Sequence, residues 1–434
     1  TEHTCSRRKR EYNRARLSSN RFRGGSMTPD EHQTRSAAHP FFGAEMLANP
    51  YPFYHRLRST TPVVWMAPLD AWVITSYEFV SRALRNPLFS SDRFPRARQR
   101  MQARGLTSPL NDRVRSMIHT DAPDHTRLRG LVNKAFTPQV VASMEQDIQS
   151  VIDHLLDAIP DRGEMDLIES LAYPLPLTVI AGLLGLPAKD REQLKRWSDQ
   201  ISLFLSGDVG ALTQESWDRI VKARRELADY LLAILNVRRA KPGHDLLSAL
   251  TQAEENGGRL TDNELLSTAI LLLVAGNETT TNLIGNGMLA LLRHPDQHRR
   301  VWNDPSLIAG AVEEMLRFDS PVQLTNRLAK SDLEIGDVKI KQGQVVYLIL
   351  GAANRDPAQF DEPDKFDVTR TNNKHLAFGA GAHFCVGAPL ARLEGQVVLR
   401  TLRRRYPKLR LGAETPVYRE NFNLRGLKSL KLKW

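Results

Sequence analysis

Cysteine is scarce in this sequence, which has two cysteines, Cys5 and Cys385, among 434 residues. Two thiols cannot build a disulfide framework, a cysteine-rich zinc site or a four-cysteine iron–sulfur site within the chain. Such low usage is typical of a reducing compartment, and we expect a cytoplasmic protein. Cys5 lies in a polar, arginine-rich stretch and is interpreted as an incidental exposed thiol.

Long hydrophobic runs are also missing. The longest uncharged stretch, residues 170–188, is interrupted by proline and glycine at five positions. These positions are Pro174, Pro176, Gly182, Gly185 and Pro187. Because proline and glycine disfavour a continuous helix, the stretch predicts core helices joined by a turn, and we expect no membrane anchor.

The charge of the chain is concentrated at one end. Of the net charge of +11, residues 1–26 contribute +6, from eight basic and two acidic residues. The remaining chain is only mildly basic, so no nucleic-acid partner is expected. Residues 1–26 are interpreted as a disordered basic tail, either a tag or an upstream translated remnant, with Met27 as the natural start.

The patterning after the tail is mainly helical. A capping box at residues 261–264 opens a predicted helix over residues 261–292, and further helices are predicted at 306–318 and 389–405. Alternating residues within 50–85 predict a hairpin, residues 86–121 a long loop, and 333–350 strands. We therefore predict one mainly α domain with a small β portion over residues 27–434.

The segment from Phe378 to Gly387 contains the second cysteine between glycines and just ahead of a predicted helix. Glycines allow a sharp turn and a close approach of the backbone to a flat ligand. A helix N-terminus stabilises a thiolate over a thiol, so Cys385 is a candidate ligand for a metal ion.

The pattern F-G-x-G-x-H-x-C-x-G-x-x-L-A, read from Phe378 onward, resembles the haem-binding signature of the cytochrome P450 family. The resemblance implies the cytochrome P450 fold with a single haem domain, haem b (iron protoporphyrin IX) as the cofactor and Cys385 as the iron ligand. Phe378, His383 and Gly387 would then belong to the cofactor site.

A second motif lies inside the predicted long helix, at residues 275–280. It resembles the family's distal acid–alcohol pair, with Glu278 as the acid and Thr279 as the alcohol, both catalytic. Ala275 and Gly276 would leave room for dioxygen beside the haem. Leu271, Val274, Ala275 and Glu278 share one helical face, which predicts that this face borders a pocket.

Further matches concern the scaffold and the edge of the cofactor. Glu314 and Arg317 resemble the structural E-x-x-R motif of the family, and Arg370 resembles its third member. Haem propionates need cations or hydrogen-bond donors, and the resemblance assigns this role to His125, Arg129, Arg327 and His383, with His375 as a fifth candidate.

The resemblance implies a soluble bacterial-type monooxygenase that inserts one oxygen atom of dioxygen into a lipophilic small molecule, by hydroxylation or epoxidation. With no flavin or iron–sulfur module in the chain, NAD(P)H would act indirectly, through ferredoxin and ferredoxin reductase. Arg127, Lys134, Arg392 and residues 403–405 could steer such a partner. The expected pocket comprises Leu271, Val274, Ala275, Val322 and Leu324, and we expect a monomer.

Other functions remain open on the sequence alone. The same scaffold could act as a peroxide-driven peroxygenase or a haem-dependent isomerase, and a non-catalytic haem-binding or nucleic-acid-binding protein belongs to a different class. The intact Glu278-Thr279 pair favours activation of dioxygen, whereas the basic tail is the one feature that favours nucleic acid.

Overall fold

The structure is a computed structural model that describes residues 43–103, 105, 116–160, 163–205, 213–255 and 258–434. The predicted tail, with Cys5 and Met27, lies outside the described residues. So do residues 104 and 106–115 of the predicted long loop. Residues Ala44–Trp434 form one compact unit.

Helices account for most of this unit. Those of the N-terminal half are α1 (Ala44–Ala48), α2 (Tyr51–Thr60), α3 (Tyr77–Arg85), α4 (Phe94–Ala103), α5 (Asp124–Ala135), α6 (Pro138–Ser143), α7 (Glu145–Asp157), α8 (Pro174–Leu183) and α9 (Arg191–Leu205). They are followed by α10 (Gln214–Ala240), α11 (Leu246–Gln252), α12 (Asp262–Arg293), α13 (Pro295–Asn303), α14 (Ile308–Phe318), α15 (Leu350–Ala353) and α16 (Ala388–Arg405).

The strands form small sheets. They are β1 (Val63–Met66), β2 (Ala71–Ile74), β3 (Phe89–Ser90), β4 (Glu164–Asp166), β5 (Glu254–Glu255), β6 (Gly258–Arg259), β7 (Leu324–Ala329), β8 (Leu333–Ile335), β9 (Val338–Ile340), β10 (Val345–Ile349), β11 (Arg410–Leu411) and β12 (Lys431–Lys433). The largest sheet has the order β1-β2-β10-β7-β3, in which β2 and β10 are parallel. A second sheet joins β11, β12 and β4.

The long helix α12 organises the core. It begins with the predicted capping box, in which the Thr261 N–H donates to Glu264 Oε2 at 2.8 Å and the Glu264 N–H donates to Thr261 Oγ1 at 3.3 Å. From Thr280 to Leu291 every residue of the helix is buried. Because α8, α10, α14 and α16 all pack on it, α12 runs through the interior of the unit.

The predicted helices and strands are largely confirmed, with three differences. The hairpin is present as β1 and β2, but α2 and α3 flank it. The predicted loop contains α4, which begins with Phe94-Pro95; proline is tolerated in a first turn, and the Arg, Gln, Met and Ala that follow are good helix formers. Strand β7, between the α14 and β8 segments, was not predicted.

The apolar stretch of residues 170–188 forms part of a short π-helix, Ile168–Ala172, and then α8. Nowhere in the described part of the chain does a helix combine the length and the apolar character needed to cross a membrane.

Candidate functional site

The loop that carries Cys385 is fixed by backbone geometry. Gly379 and Gly381 have φ values of +70° and +71°, which L side chains rarely adopt. A Cβ on Gly381 would lie 2.8 Å from the Leu84 carbonyl oxygen of α3, so this glycine also permits close packing. The loop closes where the Cys385 N–H donates to the Phe378 carbonyl oxygen at 3.0 Å, three residues before α16 begins.

The pKa of the Cys385 thiol is raised, whereas its position just ahead of a helix N-terminus predicts a lowered pKa. Burial raises the pKa of the Cys385 thiol, and the opposing effects of the Gly387 and Ala388 N–H groups and of Arg129 do not overcome it. Desolvation outweighs the helix dipole because the thiolate is the form that loses hydration on burial. A bound cation would therefore be needed to hold the thiolate form.

Four basic side chains cluster near this loop. Burial lowers the pKa values of Arg327 on β7 and of Arg93 to about 10. It likewise lowers those of His119 and His383 to about 3, with the neighbouring positive charges adding to the effect. Among the described residues no carboxylate forms an ion pair with either arginine, and the nearby Asp121 lies 3.4 Å from Lys330 instead.

Arg93 and His119 were not predicted from the sequence. Arg93 Nη1 donates to Asn326 Oδ1 at 2.5 Å, and its Nη2 lies 3.1 Å from His119 Nδ1. The buried Arg93 Nε has no hydrogen-bond partner among the residues that the structure describes. No family motif marks these two residues, and both lie in the stretch 86–121 that the sequence predicts to be a long loop.

The remaining predicted residues for the propionates lie beside the cysteine loop. The ring of His125, on α5, packs against that of His383 with centroids 3.9 Å apart. Arg129, one turn further along α5, donates through Nη1 to the Phe384 carbonyl oxygen at 2.8 Å. The structure thus brings His125, Arg129 and His383 together around the loop.

These residues fit a haem group. A dianionic edge would neutralise Arg93 and Arg327, which form no ion pair with an acid in the described part of the chain, since an unpaired buried charge is costly. A thiol whose nearest donors are two backbone N–H groups suits a single bond to iron. Contacts among the described residues alone explain neither the arginines without an ion pair nor the buried thiol.

Helix α12 carries the predicted acid and alcohol on its more accessible side. Leu271, Ala275, Glu278 and Thr279 are partly exposed, whereas the helix is buried throughout from Thr280 to Leu291. The Thr279 hydroxyl donates to the Ala275 carbonyl oxygen at 2.8 Å, a bond that competes with the helix ladder. Val274 is buried, as is Leu324, whereas Val322 is partly exposed and bridges to Leu424.

The carboxylate of Glu278 is enclosed by three elements. Burial raises its pKa, while Arg419, with Nη1 3.8 Å from Glu278 Oε1, and a hydrogen bond with Ser202 of α9 lower it. Asp199 of the same helix raises the pKa again and accepts a hydrogen bond from Tyr173. Glu278 therefore occupies a polar junction between α9, α12 and the C-terminal segment.

The scaffold network is completely buried. Arg317 Nε and Nη2 donate to Glu314 at 2.8 Å each, and both side chains have 0% exposure. Arg370 Nε lies 3.3 Å from Glu314 Oε2. Arg317 also donates to the carbonyl oxygens of Asn354, Pro363 and Lys365, so the network holds an irregular segment against α14.

Ion pairs within the chain engage two of the predicted residues. His375, the fifth candidate for a propionate, lies with Nε2 3.1 Å from Glu313 and receives the Ala377 N–H at Nδ1, so both ring nitrogens are occupied. Arg392 pairs with the same Glu313 at 2.7 Å.

The other basic residues assigned to partner steering are also engaged within the chain. Arg127 pairs with Glu264, and Lys134 donates to the Glu254 carbonyl oxygen at 2.7 Å. Arg403 donates to the Trp302 carbonyl oxygen at 2.6 Å, and Arg404 and Arg405 pair with Asp153. Internal acids and carbonyls thus compete with a partner for these charges.

Comparisons with known proteins show which family the chain belongs to. The family model described as Cytochrome P450 matches residues 38–416. The chain belongs to the cytochrome P450 family. Cytochrome P450 107B1 of Saccharopolyspora erythraea is 43% identical over 376 residues, covering 84% of this chain and 89% of the relative. The family implies a haem cofactor for this P450.

Two further similarities support the same assignment. The 6-deoxyerythronolide B hydroxylase of Saccharopolyspora erythraea is 41% identical over 393 residues, covering 88% of this chain and 95% of the relative. The crystal structure of P450BioI with hexadec-9Z-enoic acid ligated acyl carrier protein has a TM-score of 0.81 at 38% identity, covering 90% of this chain and 99% of that one. This P450 is a monooxygenase.

Proposed function

We propose that this P450 inserts one atom of dioxygen into a lipophilic small molecule, by hydroxylation or epoxidation, with electrons from a separate redox protein. The observation that carries the proposal is the buried Cys385 thiol of the glycine loop together with Arg93 and Arg327, which form no ion pair with an acid among the described residues. That combination suits a thiolate-ligated haem, and the thiolate ligand favours cleavage of the O–O bond.

The residues that would hold the cofactor divide by position. Cys385 would bind the iron, while Phe378 and Gly387 of its loop, with Ala275 and Gly276 of α12, would border the ring. His125, Arg129, Arg327 and His383 would receive the propionates, and we add Arg93, whose buried Nε has no partner among the described residues. When bound, haem supplies activation of dioxygen, and the chain supplies orientation, exclusion of water and protons.

The chain's own part in the reaction is proton delivery. We assign Thr279 Oγ1 the positioning of a proton donor beside the reacting oxygen and Glu278 the supply of protons from the polar junction. Glu278 suits this role because burial raises its pKa, so its carboxyl takes up a proton more readily than an exposed one, while Arg419 lies beside it.

A lipophilic substrate is supported by the apolar side chains near this face and by the names of similar proteins. Leu271, Val274, Val322 and Leu324 carry no polar side-chain atoms. One relative is a 6-deoxyerythronolide B hydroxylase, and one solved neighbour holds a hexadecenoic acid on acyl carrier protein. We place ferredoxin and ferredoxin reductase, supplied with NAD(P)H, as the electron source.

The first prediction tests the cofactor site. The reduced protein with carbon monoxide is expected to show the red-shifted absorption band of thiolate ligation, because Cys385 is the candidate iron ligand. Cys385→Ser removes the thiolate and should abolish the band, measured by difference spectroscopy. A wild-type spectrum typical of histidine ligation, from protein shown to be folded by circular dichroism, would contradict the assignment.

The same protein can distinguish a monooxygenase from a peroxygenase. Product formation from a lipophilic library is compared with ferredoxin, its reductase and NAD(P)H on one side and with hydrogen peroxide alone on the other. We expect the reductase system to support the faster turnover. Turnover with peroxide alone at an equal or higher rate would refute the separate electron partner.

A further inference from the structure

The carboxylate of Glu313, on α14, binds two side chains that flank the cysteine loop. Arg392 of α16 donates to it twice, from Nε to Oε1 at 2.7 Å and from Nη2 to Oε2 at 2.9 Å. His375 Nε2 lies 3.1 Å from Oε2. Because the guanidinium is a planar fork, the two parallel bonds fix its orientation as well as its position.

His375 holds the carboxylate with a neutral ring. The Ala377 N–H donates to His375 Nδ1 at 3.2 Å, so Nδ1 accepts and the ring hydrogen lies on Nε2, toward Glu313. Burial raises the pKa of Glu313, but the hydrogen bonds from His375 and Arg392 outweigh it and lower that pKa to about 2. Glu313 is therefore ionised at neutral pH, and Arg392 is held by a permanent negative charge.

The guanidinium of Arg392 lies over the ring of Phe378, with its Cζ 4.7 Å from the ring centroid. The other neighbour of this ring is Phe384, which packs edge-on with centroids 6.2 Å apart. The carbonyl oxygen of Phe378 accepts the hydrogen bond from the Cys385 N–H at 3.0 Å. Arg392 thus packs directly on the residue whose backbone closes the cysteine loop.

The two charges of this pair are placed unequally with respect to the loop. Arg392 contacts Phe378 directly, whereas Glu313 forms no hydrogen bond or ion pair with residues 378–387 in the described part of the chain. The positive charge therefore acts on the loop more strongly than the negative one. Reduction of a haem iron adds one negative charge to the centre, so a fixed positive charge nearby favours the reduced form.

We propose that Arg392, held over Phe378 by Glu313, raises the reduction potential of the haem iron and so eases entry of the first electron. One electron from the reduced redox protein converts ferric iron to ferrous, and Arg392 stabilises the negative charge that this adds. Glu313 is a positioning residue that acts through Arg392. The inference rests on the proposed function, because it needs a haem bound by Cys385, and it gives Arg392 a role within the P450 itself.

The test measures the reduction potential of the haem-loaded P450 by spectroelectrochemical titration, without substrate or redox partner. Arg392→Gln removes the positive charge and should lower the potential. Glu313→Gln removes the opposing charge and keeps an amide oxygen that accepts from Arg392, so it should raise the potential. A partly screened unit charge changes the equilibrium constant roughly three- to tenfold, equal to about 28–59 mV for one electron.

The matched control is a second ion pair on the same helix. Arg400 of α16 pairs with Glu145 of α7, and the two side chains are 44% and 54% exposed. Arg400→Gln and Glu145→Gln make the same changes of charge farther along α16 and should leave the potential unchanged. Arg392→Lys keeps the charge and should stay close to the wild type. The double variant of Glu313→Gln with Arg392→Gln should lie between the two single variants.

Other outcomes count against the proposal. Shifts of the same sign in Arg392→Gln and Glu313→Gln would show a merely structural clamp, and an unchanged potential in Arg392→Gln would leave Arg392 to partner docking. An equal shift in Arg400→Gln would reduce the effect to net charge. If Arg392→Gln takes up no haem, Glu313→Gln decides, and a potential at or below the wild-type value refutes the proposal. The carbon monoxide spectrum of the wild type tests Cys385 ligation separately, so failure of the proposed function is distinguishable.

Discussion

At the scale of single residues, Thr279 separates oxygen activation from binding of haem and substrate. Thr279→Ala should leave haem content and the substrate-induced spin shift unchanged, because the hydroxyl hydrogen-bonds to the Ala275 carbonyl oxygen of its own helix. Without an ordered proton donor, dioxygen should be reduced to hydrogen peroxide instead of being inserted. A positioned donor contributes about 10²–10⁴-fold to its step, so product per NAD(P)H should fall steeply.

The control is Thr281→Ala. Thr281 makes the same kind of bond, to the Asn277 carbonyl oxygen at 3.1 Å, but lies in the core with 0% exposure. This variant should keep the product yield per NAD(P)H even if it melts earlier. If Thr279→Ala keeps the wild-type yield without extra peroxide, another group delivers the proton.

Arg419 sets the ionisation of Glu278 and hence the pH dependence of turnover. Arg419 lowers the pKa of Glu278, which burial raises, so Arg419→Gln should raise that pKa further. A relay carboxyl must be ionised before it accepts the next proton, and activity is lost as pH falls through its pKa. The acidic limb of the rate profile should therefore move to higher pH in Arg419→Gln.

Rate profiles of coupled product formation measure this shift, with Arg410→Gln as the control. Arg410 is exposed, and no ion pair of its side chain occurs within the described residues. Superimposable profiles for the wild type and Arg419→Gln would mean that Glu278 does not limit turnover.

Residues with a family motif were predictable from the sequence, and residues defined by packing were not. Cys385 and the Glu314–Arg317 pair stand in short local patterns. Arg93 contacts Asn326 of β7 although the two residues are more than 230 positions apart in the sequence. No local sequence pattern predicts that contact. The raised pKa of the Cys385 thiol likewise depends on burial, which the sequence does not display.

At the scale of elements, the segment after α15 depends on α14 for its position. Arg317→Ala removes the donor to the carbonyl oxygens of Asn354 and Pro363, one of two donors to that of Lys365, and the main partner of buried Glu314. Loss of one member of a buried pair costs roughly 3–5 kcal/mol. We expect insoluble or haem-poor protein, measured by soluble yield and by haem absorbance per protein.

The control for this loss is the surface pair of Arg82 and Glu78, whose side chains are 71% and 72% exposed. Arg82→Ala should change stability by less than about 0.5 kcal/mol. A soluble Arg317→Ala with full haem and an unchanged melting temperature would show that the network is dispensable.

Helices whose ends carry a capping motif were predicted well. The capping box at Thr261 and Glu264 fixed the start of α12 within one residue. The start of α4 was missed because its Pro95 and many arginines are typical of a loop as well as of an exposed helix. Strand β7 was missed because its polar residues Thr325, Asn326 and Arg327 interrupt the expected apolar pattern.

At the scale of the whole molecule, the basic tail and the compact unit are expected to be independent. Deleting residues 1–26 should leave the carbon monoxide spectrum, the melting temperature and turnover unchanged, since every motif of the site lies after residue 120. Retention on a DNA column should disappear with the tail. Retention of the shortened protein on the DNA column at moderate salt would instead support a role in nucleic-acid binding.

The family motifs, spread over residues 121–387, predicted one domain because they must converge on one cofactor. The order of strands in the main sheet could not be predicted from the sequence. The parallel pairing of β2 with β10 depends on how the long segment between these strands packs. The same holds for the pairing of Arg392 with Glu313, which engages a side chain that the sequence predicts to steer a partner.

The pairing of β2 with β10 also has a consequence for synthesis on the ribosome. Ala71–Ile74 emerges about 270 residues before Val345–Leu348, its partner in the sheet. At roughly 5–20 residues per second, the early hairpin waits about 15–50 s with one edge unpaired. During that time its apolar strand could pair with other chains. Slower translation would lengthen this exposure of the nascent hairpin.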